Sequence, residues 1–157
     1  MNLCHYLTPQ NIVLMKRPVS KEDLLKGLVT ELANQKNIKN IEYLSNAIVD
    51  RERESSTFLP TGIAIPHARV PDVEEITLIM GVMPEGFKET QEADPTYLVF
   101  LFFSPIKDKE FGRHLKLLAK IAAIFNDPTF VHDVAVLSDS DKIFASIQHK
   151  ERESADQ

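Results

Sequence analysis

The sequence predicts a single α/β domain, a layered sandwich with a mixed central β-sheet flanked by helices. Three observations predict it. Segments with helical spacing alternate with short apolar segments of strand character. Tyr97 to Phe103 is an unbroken apolar run of seven residues, as in a strand buried on both faces. The 157 residues suit one domain with one real core.

The chain opens irregularly from Leu3, and Ile12 to Met15 has the character of a short strand. Ser20 then starts a helix as its N-cap, with Glu22 and Asp23 in the first turn. Leu24, Leu25, Leu28, Val29 and Leu32 form its inner stripe. Asn40 caps a second helix, with Ile41, Leu44, Ala47 and Ile48 on one face, which runs out near Asp50. Thr57 to Thr61 is a loop, and Gly62 to Ile65 a short strand that Pro66 stops. Ile76 to Met83 is a further strand, rich in β-favouring residues. Ser104-Pro105 ends the run from Tyr97. A helix follows from about Lys109 to Phe125, with Leu115, Leu118, Ile121, Ala122 and Phe125 at helical spacing. Asp127-Pro128 is a cap and first-turn proline for another helix through about Leu137. Asp139 to Ile147 reads as the last. The domain is expected to occupy residues 1–149, with Lys150 to Gln157 as a disordered polar tail.

Composition excludes several classes. Hydrophobic residues make up 43% and charged residues 26%, the mix of a soluble globular chain. The formal charge of −5 gives no global attraction for nucleic acid. No apolar run approaches the roughly 20 residues of a membrane helix, and no signal peptide is visible. One cysteine, Cys4, excludes an internal disulfide framework and a cysteine-only metal site. The expected setting is the reducing cytoplasm.

The most informative segment is Thr61 to Arg69. A buried-looking strand runs into Pro66, and the next residue is His67. A side chain at the end of a rigid strand is fixed yet accessible, where reactive groups often sit in α/β proteins. The pattern leaves two readings open, a histidine satisfied for structural reasons or a reactive one. His114 lies four residues before Leu118 and seven before Ile121, on the inward stripe of its helix and near its start. It reads either as a core histidine or as one presented to a site at a helix N-terminus that favours an anion. Arg51 and Arg53 close the second helix just ahead of the loop. Surface arginines are common, but an arginine near a reactive histidine suits phosphate, which its planar fork binds bidentately. His132 is expected on a solvated helix face, and the rest of the Arg51 to Glu54 run likewise.

Taken together, these residues resemble a known pattern. Arg51-Glu52, Ser56-Thr57, Gly62 and Ala64-Ile65-Pro66-His67 are similar to the active-site signature of the type-2 EIIA domains of the bacterial phosphoenolpyruvate-dependent phosphotransferase system, the fructose/mannitol and nitrogen-regulatory family. His114-Leu115-Lys116-Leu117-Leu118-Ala119 matches its second signature, and the opening Leu7-Thr8-Pro9 also fits. The likeness covers residues from about 5 to 148. Phe58-Leu59-Pro60-Thr61 departs from the glycine- and asparagine-rich loop of many members.

The resemblance implies a phosphocarrier. His67 would accept a phosphoryl group on Nε2 from the phosphohistidine of HPr, its other ring nitrogen held by a backbone carbonyl. It would then pass the group to a cysteine of an EIIB domain that serves a membrane EIIC. His114 would hydrogen-bond the phosphoryl or orient His67. Arg51 would neutralise phosphoryl oxygens, with Arg53 as second choice and Ser56 and Thr57 as hydroxyl donors. No metal or other cofactor is required, because arginine and backbone amides do the charge work. Phe58, Leu59, Ile106 and Phe111 are the expected docking contacts. The main alternative is a nitrogen-regulatory protein whose phosphorylation state controls binding to targets. A degenerate binding module is disfavoured by the presence of His67, His114 and Arg51, and a metallohydrolase by the lack of ligand spacing near either histidine.

Overall fold

The computed structural model describes residues 1–155. Its sheet has five strands, β1 (Ile12–Leu14), β2 (Ile63–Ala64), β3 (His67–Val70), β4 (Thr77–Phe87) and β5 (Thr96–Pro105). Its helices are α1 (Lys21–Lys36), α2 (Ile41–Glu54), α3 (Asp108–Ile124), α4 (Pro128–Ala135) and α5 (Ser140–Ala155). β5 is central. It runs antiparallel to β4, which carries β1 as a parallel edge strand. On its other side β5 pairs in parallel with β2 and then β3, one after the other along the same edge. The sheet is therefore mixed, as the sequence predicts.

Alternation along β5 builds two cores. Leu98, Phe100 and Phe102 face α3, α4 and α5, where they meet Leu117, Ile121, Phe125, Val131 and Ile143. Val99, Leu101 and Phe103 face α1 and α2, where they meet Leu24, Leu28, Leu44 and Ile48. Apolar side chains on both faces are what a sheet covered by two helical layers demands. Gly81 of β4 lets α1 approach: a Cβ there would come within 2.7 Å of Met15 Sδ and 3.1 Å of the Leu28 methyls.

Several local signals act as expected. The Ser20 hydroxyl accepts the Asp23 N–H at the start of α1, and the Asp127 carboxylate accepts the Thr129 N–H at the start of α4. Asn40 precedes α2 with a left-handed backbone, φ 65°, and its side chain donates to Asp72 instead of capping the helix.

Three expectations need correction. His67 does not end a strand. Ile65-Pro66 interrupts the edge and His67 opens a separate strand, β3, whose pairing with β5 begins at His67–Phe102. On α3 the buried stripe is His114, Leu117, Ile121 and Ile124, while Leu115 and Ala122 are exposed. Lys150 to Ala155 are not a disordered tail but the last turns of α5. Glu151 is buried there and accepts the backbone N–H groups of Leu3 and Cys4, clasping the start of the chain. The residues 156–157 of the expected tail lie outside the described residues. No helix among the described residues is long and apolar enough to cross a membrane.

Candidate active site

His67 is nine-tenths buried at the start of β3. Its Nδ1 lies 2.7 Å from the carbonyl oxygen of Ile65. A carbonyl only accepts, so Nδ1 carries the hydrogen and donates it. The neutral ring then keeps its lone pair on Nε2. This geometry is local: Ile65-Pro66 lies between the two strand segments, and the Ile65 carbonyl meets the ring of the residue two positions on. Burial holds the His67 pKa below its ordinary value, opposed by the Ile65 carbonyl; the Arg51 charge lowers it further and Glu52 raises it. The ring is therefore neutral at pH 7.

α3 delivers the second histidine. The His114 ring stands edge-on to His67, with centroids 5.1 Å apart. Phe102 of β5 packs beneath both, 5.5 Å from His67 and 5.1 Å from His114. The hydroxyl of Ser104 is hydrogen-bonded to His114 Nδ1. With the hydroxyl as donor, His114 presents an Nε2–H.

His114 is held neutral mainly by burial, with the charges of His67, Arg69 and Arg51 adding, and its pKa falls to about 4 from the ordinary 6.5. The unfolded chain takes up a proton here near pH 6.5, whereas the fold refuses one until about pH 4. The stability this group contributes is thus complete above pH 6.5 and is lost as the pH falls toward 4. The difference corresponds to about 3 kcal/mol at most. Urea unfolding at about pH 7.5 and pH 4.5 should show the wild type losing up to that much more stability than His114→Gln. Equal losses would mean that His114 is not kept neutral by the fold.

Arg51 is half-buried at the end of α2, where its guanidinium donates to the carbonyl of Ser55 at 3.2 Å. Its charge acts on both histidines. Arg53 does not join them. It is exposed and pairs with Asp50 at 3.6 Å on the outer side of α2. Ser56 is exposed, and its hydroxyl meets Lys21 and the Phe58 N–H. The Thr57 hydroxyl donates to Glu52 at 2.6 Å, so its proton is committed within the loop. His132 is exposed, as expected.

Four residues around the site escape the sequence reading. Glu52 was expected on a solvated face, yet it is buried. It accepts the Thr57 N–H at 2.8 Å and the Thr57 hydroxyl, and pairs with Lys21 at 3.0 Å. Its spacing from Ile48 and Val49 puts it on the inner stripe of α2, a signal that the charge alternation of its neighbours obscures. Phe102, Ser104 and Arg69 carry the same kind of signal. Ser104 is two residues beyond Phe102 and Arg69 two beyond His67, each pair sharing one face of its strand.

A strand-borne histidine with Nε2 free, a second neutral histidine and an arginine at the end of a neighbouring helix are, by their chemistry, suited to an anion bonded to a ring nitrogen. The family model described as "Phosphoenolpyruvate-dependent sugar phosphotransferase system, EIIA 2" matches residues 5–150. The chain belongs to this EIIA type-2 family. Among relatives, a nitrogen regulatory protein of Bradyrhizobium diazoefficiens is 26% identical over 147 residues, 92% of this chain and 94% of that one. The fructose-specific EIIABC component of Bacillus subtilis is 28% identical over 125 residues, 79% of this chain but only 19% of that longer protein. Solved EIIA folds superpose well. The nitrogen regulatory protein IIA-Ntr of Neisseria meningitidis has a TM-score of 0.78 at 24% identity, covering 91% of this chain and 97% of that one. The mannitol IIA of Escherichia coli has a TM-score of 0.74 at 21% identity, covering 90% and 98%.

Proposed function

We propose that this EIIA domain is a cytoplasmic phosphocarrier of the fructose/mannitol type, with His67 as its nucleophile. The observation that carries the reading is the Nδ1–H bond to the Ile65 carbonyl, which leaves Nε2 as the available lone pair beside His114. In uptake, that lone pair forms the Nε2–P bond as the N–P bond of phospho-HPr breaks, and the bonding electrons return to the donor's imidazole. In delivery, a cysteine thiolate of EIIB forms the S–P bond and the Nε2–P electrons return to His67. Both steps depend on alignment and charge neutralisation more than on acid–base chemistry. Arg51 supplies positive charge, and the His114 Nε2–H donates to a phosphoryl oxygen. The commitment of the Thr57 proton to Glu52 argues against Thr57 as a direct donor, and the outward pairing of Arg53 argues against a direct part for Arg53. Ser56 stands on the exposed loop beside the site and is the remaining hydroxyl candidate.

Incubation with phosphoenolpyruvate, enzyme I and HPr, followed by intact mass, tests the proposal. One acid-labile phosphoryl group is expected, and none under conditions that charge HPr would overturn it. The match to a nitrogen regulatory protein over 92% of this chain and 94% of that one favours a second reading, in which phosphorylation controls binding to target proteins. Adding a fructose- or mannitol-type EIIB to the charged protein separates the two: prompt loss of the phosphoryl supports the relay, and retention supports regulation.

Docking of HPr is expected on the apolar surface beside His114. Ile106 is 58% exposed, Leu115 49% and Phe111 43%, whereas Phe58 and Leu59 are half-buried. Large exposed apolar side chains clustered at a site rim mark contact surfaces. Ile106→Ser is expected to raise the KM for phospho-HPr about tenfold with little change in kcat, the size of one interface anchor. An unchanged KM would remove Ile106 from the docking surface.

A further inference from the structure

We propose that Arg69 is a positioning residue for the histidine pair: it ties the start of α3 to β3 and thereby holds His114 against His67. The catalytic consequence rests on the phosphocarrier reading; the structural brace does not.

Strand alternation sets the arrangement. Ala68 and Val70 turn into the core under α1 and α2, so His67 and Arg69 share the opposite face. In the register of β3 with β5, His67 lies beside Phe102 and Arg69 beside Ser104. Ser104 in turn binds His114 Nδ1. The Arg69 guanidinium then reaches across to α3 at two points. Its Nη2 donates to the carbonyl of Lys107, the residue just before the helix, at 3.2 Å. Its central carbon also lies over the Phe111 ring, 4.8 Å from the centroid. That ring is stacked on His114, with centroids 6.1 Å apart and planes 18° from parallel. One side chain therefore holds the backbone at the helix start and the ring that backs His114.

Arginine is suited to this because its rigid planar group donates in fixed directions and also stacks on aromatic faces. Lysine offers only a point charge. The arrangement also carries a cost. Arg69 Nε is buried without a hydrogen-bond partner, and an unmet buried N–H forfeits its hydration without return. A methionine would fill similar space without that cost, so a contribution to packing alone does not account for arginine at this position. The charges acting on His114 are those of Arg69 on β3 and Arg51 on α2, joined by His67 of β3 once that ring is protonated. On α3 itself, Glu110 is paired with Arg113 at 3.7 Å.

Arg69→Gln and Arg69→Lys test the brace by two readouts. The first is NMR titration of the imidazoles in the unphosphorylated protein. Arg69→Gln should raise the His114 midpoint and weaken the contacts between the two histidine rings, and Arg69→Lys should keep the midpoint low. The second is uptake from phospho-HPr. Arg69→Gln should lower kcat about tenfold with KM nearly unchanged, the scale of a small misplacement of a reacting group. Arg69→Lys should not restore kcat, since the fork and the stacking are lost. A His114 titration, ring contacts and kcat all unchanged in Arg69→Gln would overturn the proposal. If Arg69→Gln fails to fold, a normal melting temperature with reduced kcat in Arg69→Lys supports it, and wild-type kcat there overturns it. If the wild type accepts no phosphoryl, the phosphocarrier reading fails, while the ring contacts and the His114 titration still decide the brace.

Discussion

His67→Ala is expected to accept no phosphoryl group, a loss of at least about 10³-fold, because the covalent intermediate has no alternative atom of equal access. The two histidine rings stand 5.1 Å apart, so His114 is the competing imidazole to weigh. It is disfavoured on three counts. It is buried at 4% exposure, its Nδ1 is bound to Ser104, and with that hydroxyl as donor its Nε2 carries the hydrogen and offers no lone pair. His67→Gln makes the cleaner variant, since it keeps volume above Phe102 and leaves a side-chain amide to meet the Ile65 carbonyl. Its melting temperature is expected to lie within a few degrees of the wild type, which separates loss of chemistry from loss of fold. Intact mass after charging, with tandem mass spectrometry to locate any phosphoryl, is the measurement. A phosphoryl retained on His114 in either variant would reverse the roles assigned to the two rings. The wild-type pH profile carries a related expectation. Because burial holds the His67 pKa below its ordinary value, uptake should fall off at a lower pH than protonation of a free imidazole would dictate.

The layers and most element positions were legible because periodicity reports directly on burial. Tyr97 to Phe103 had to be a strand covered on both faces, and the alternation of Phe100 and Phe102 with Val99 and Leu101 into two cores is what the structure contains. Ser20 and Asp127 were legible because a cap is a local transaction between a side chain and the next turn. Errors arose where the deciding contact is distant in sequence. Lys150 to Ala155 read as a polar tail because nothing nearby shows that Glu151 will meet the N–H groups of Leu3 and Cys4, nearly 150 residues away. The separate strand β3 was missed because Pro66 ends the ladder locally, while register with Phe102 and Ser104 restarts it. The same division applies to the site. His67, His114 and Arg51 stood out by residue type and motif. Glu52, Ser104 and Arg69 act through geometry that only the folded sheet assembles, and spacing alone would have flagged them without saying what they hold.

Glu52→Ala is expected to destabilise the fold by about 4 kcal/mol, in the range for removing one partner of a buried ion pair. Glu52 gathers three donors: the Thr57 N–H, the Thr57 hydroxyl and the Lys21 ammonium. Its side chain is 5% exposed and that of Lys21 18%, so solvent replaces little of what is lost. Lys21 also lies 4.3 Å from the centre of the Phe58 ring and 3.3 Å from Ser56 Oγ. Glu52 therefore anchors the whole connection from α2 to β2, and with it the neighbouring Arg51, whose guanidinium donates to the Ser55 carbonyl at 3.2 Å. Loss of the carboxylate frees that connection, so phosphoryl uptake should fall about tenfold or more even in the fraction that stays folded, as positioning of a charged group is lost. Glu52→Gln should fall between the two. Its amide oxygen still accepts from Thr57, but it no longer balances the Lys21 charge. Urea unfolding of both variants gives the stability order, and uptake from phospho-HPr at a temperature where each is folded gives the rest. The decisive comparison is the double variant Lys21→Met, Glu52→Gln. If the cost is mainly the uncompensated ammonium, removing both charges should recover part of the stability lost in Glu52→Gln, because two apolar or neutral partners strand no ion. If the double variant is no more stable than Glu52→Gln alone, the weight rests on the hydrogen bonds to Thr57, and Lys21 is a bystander to the loop.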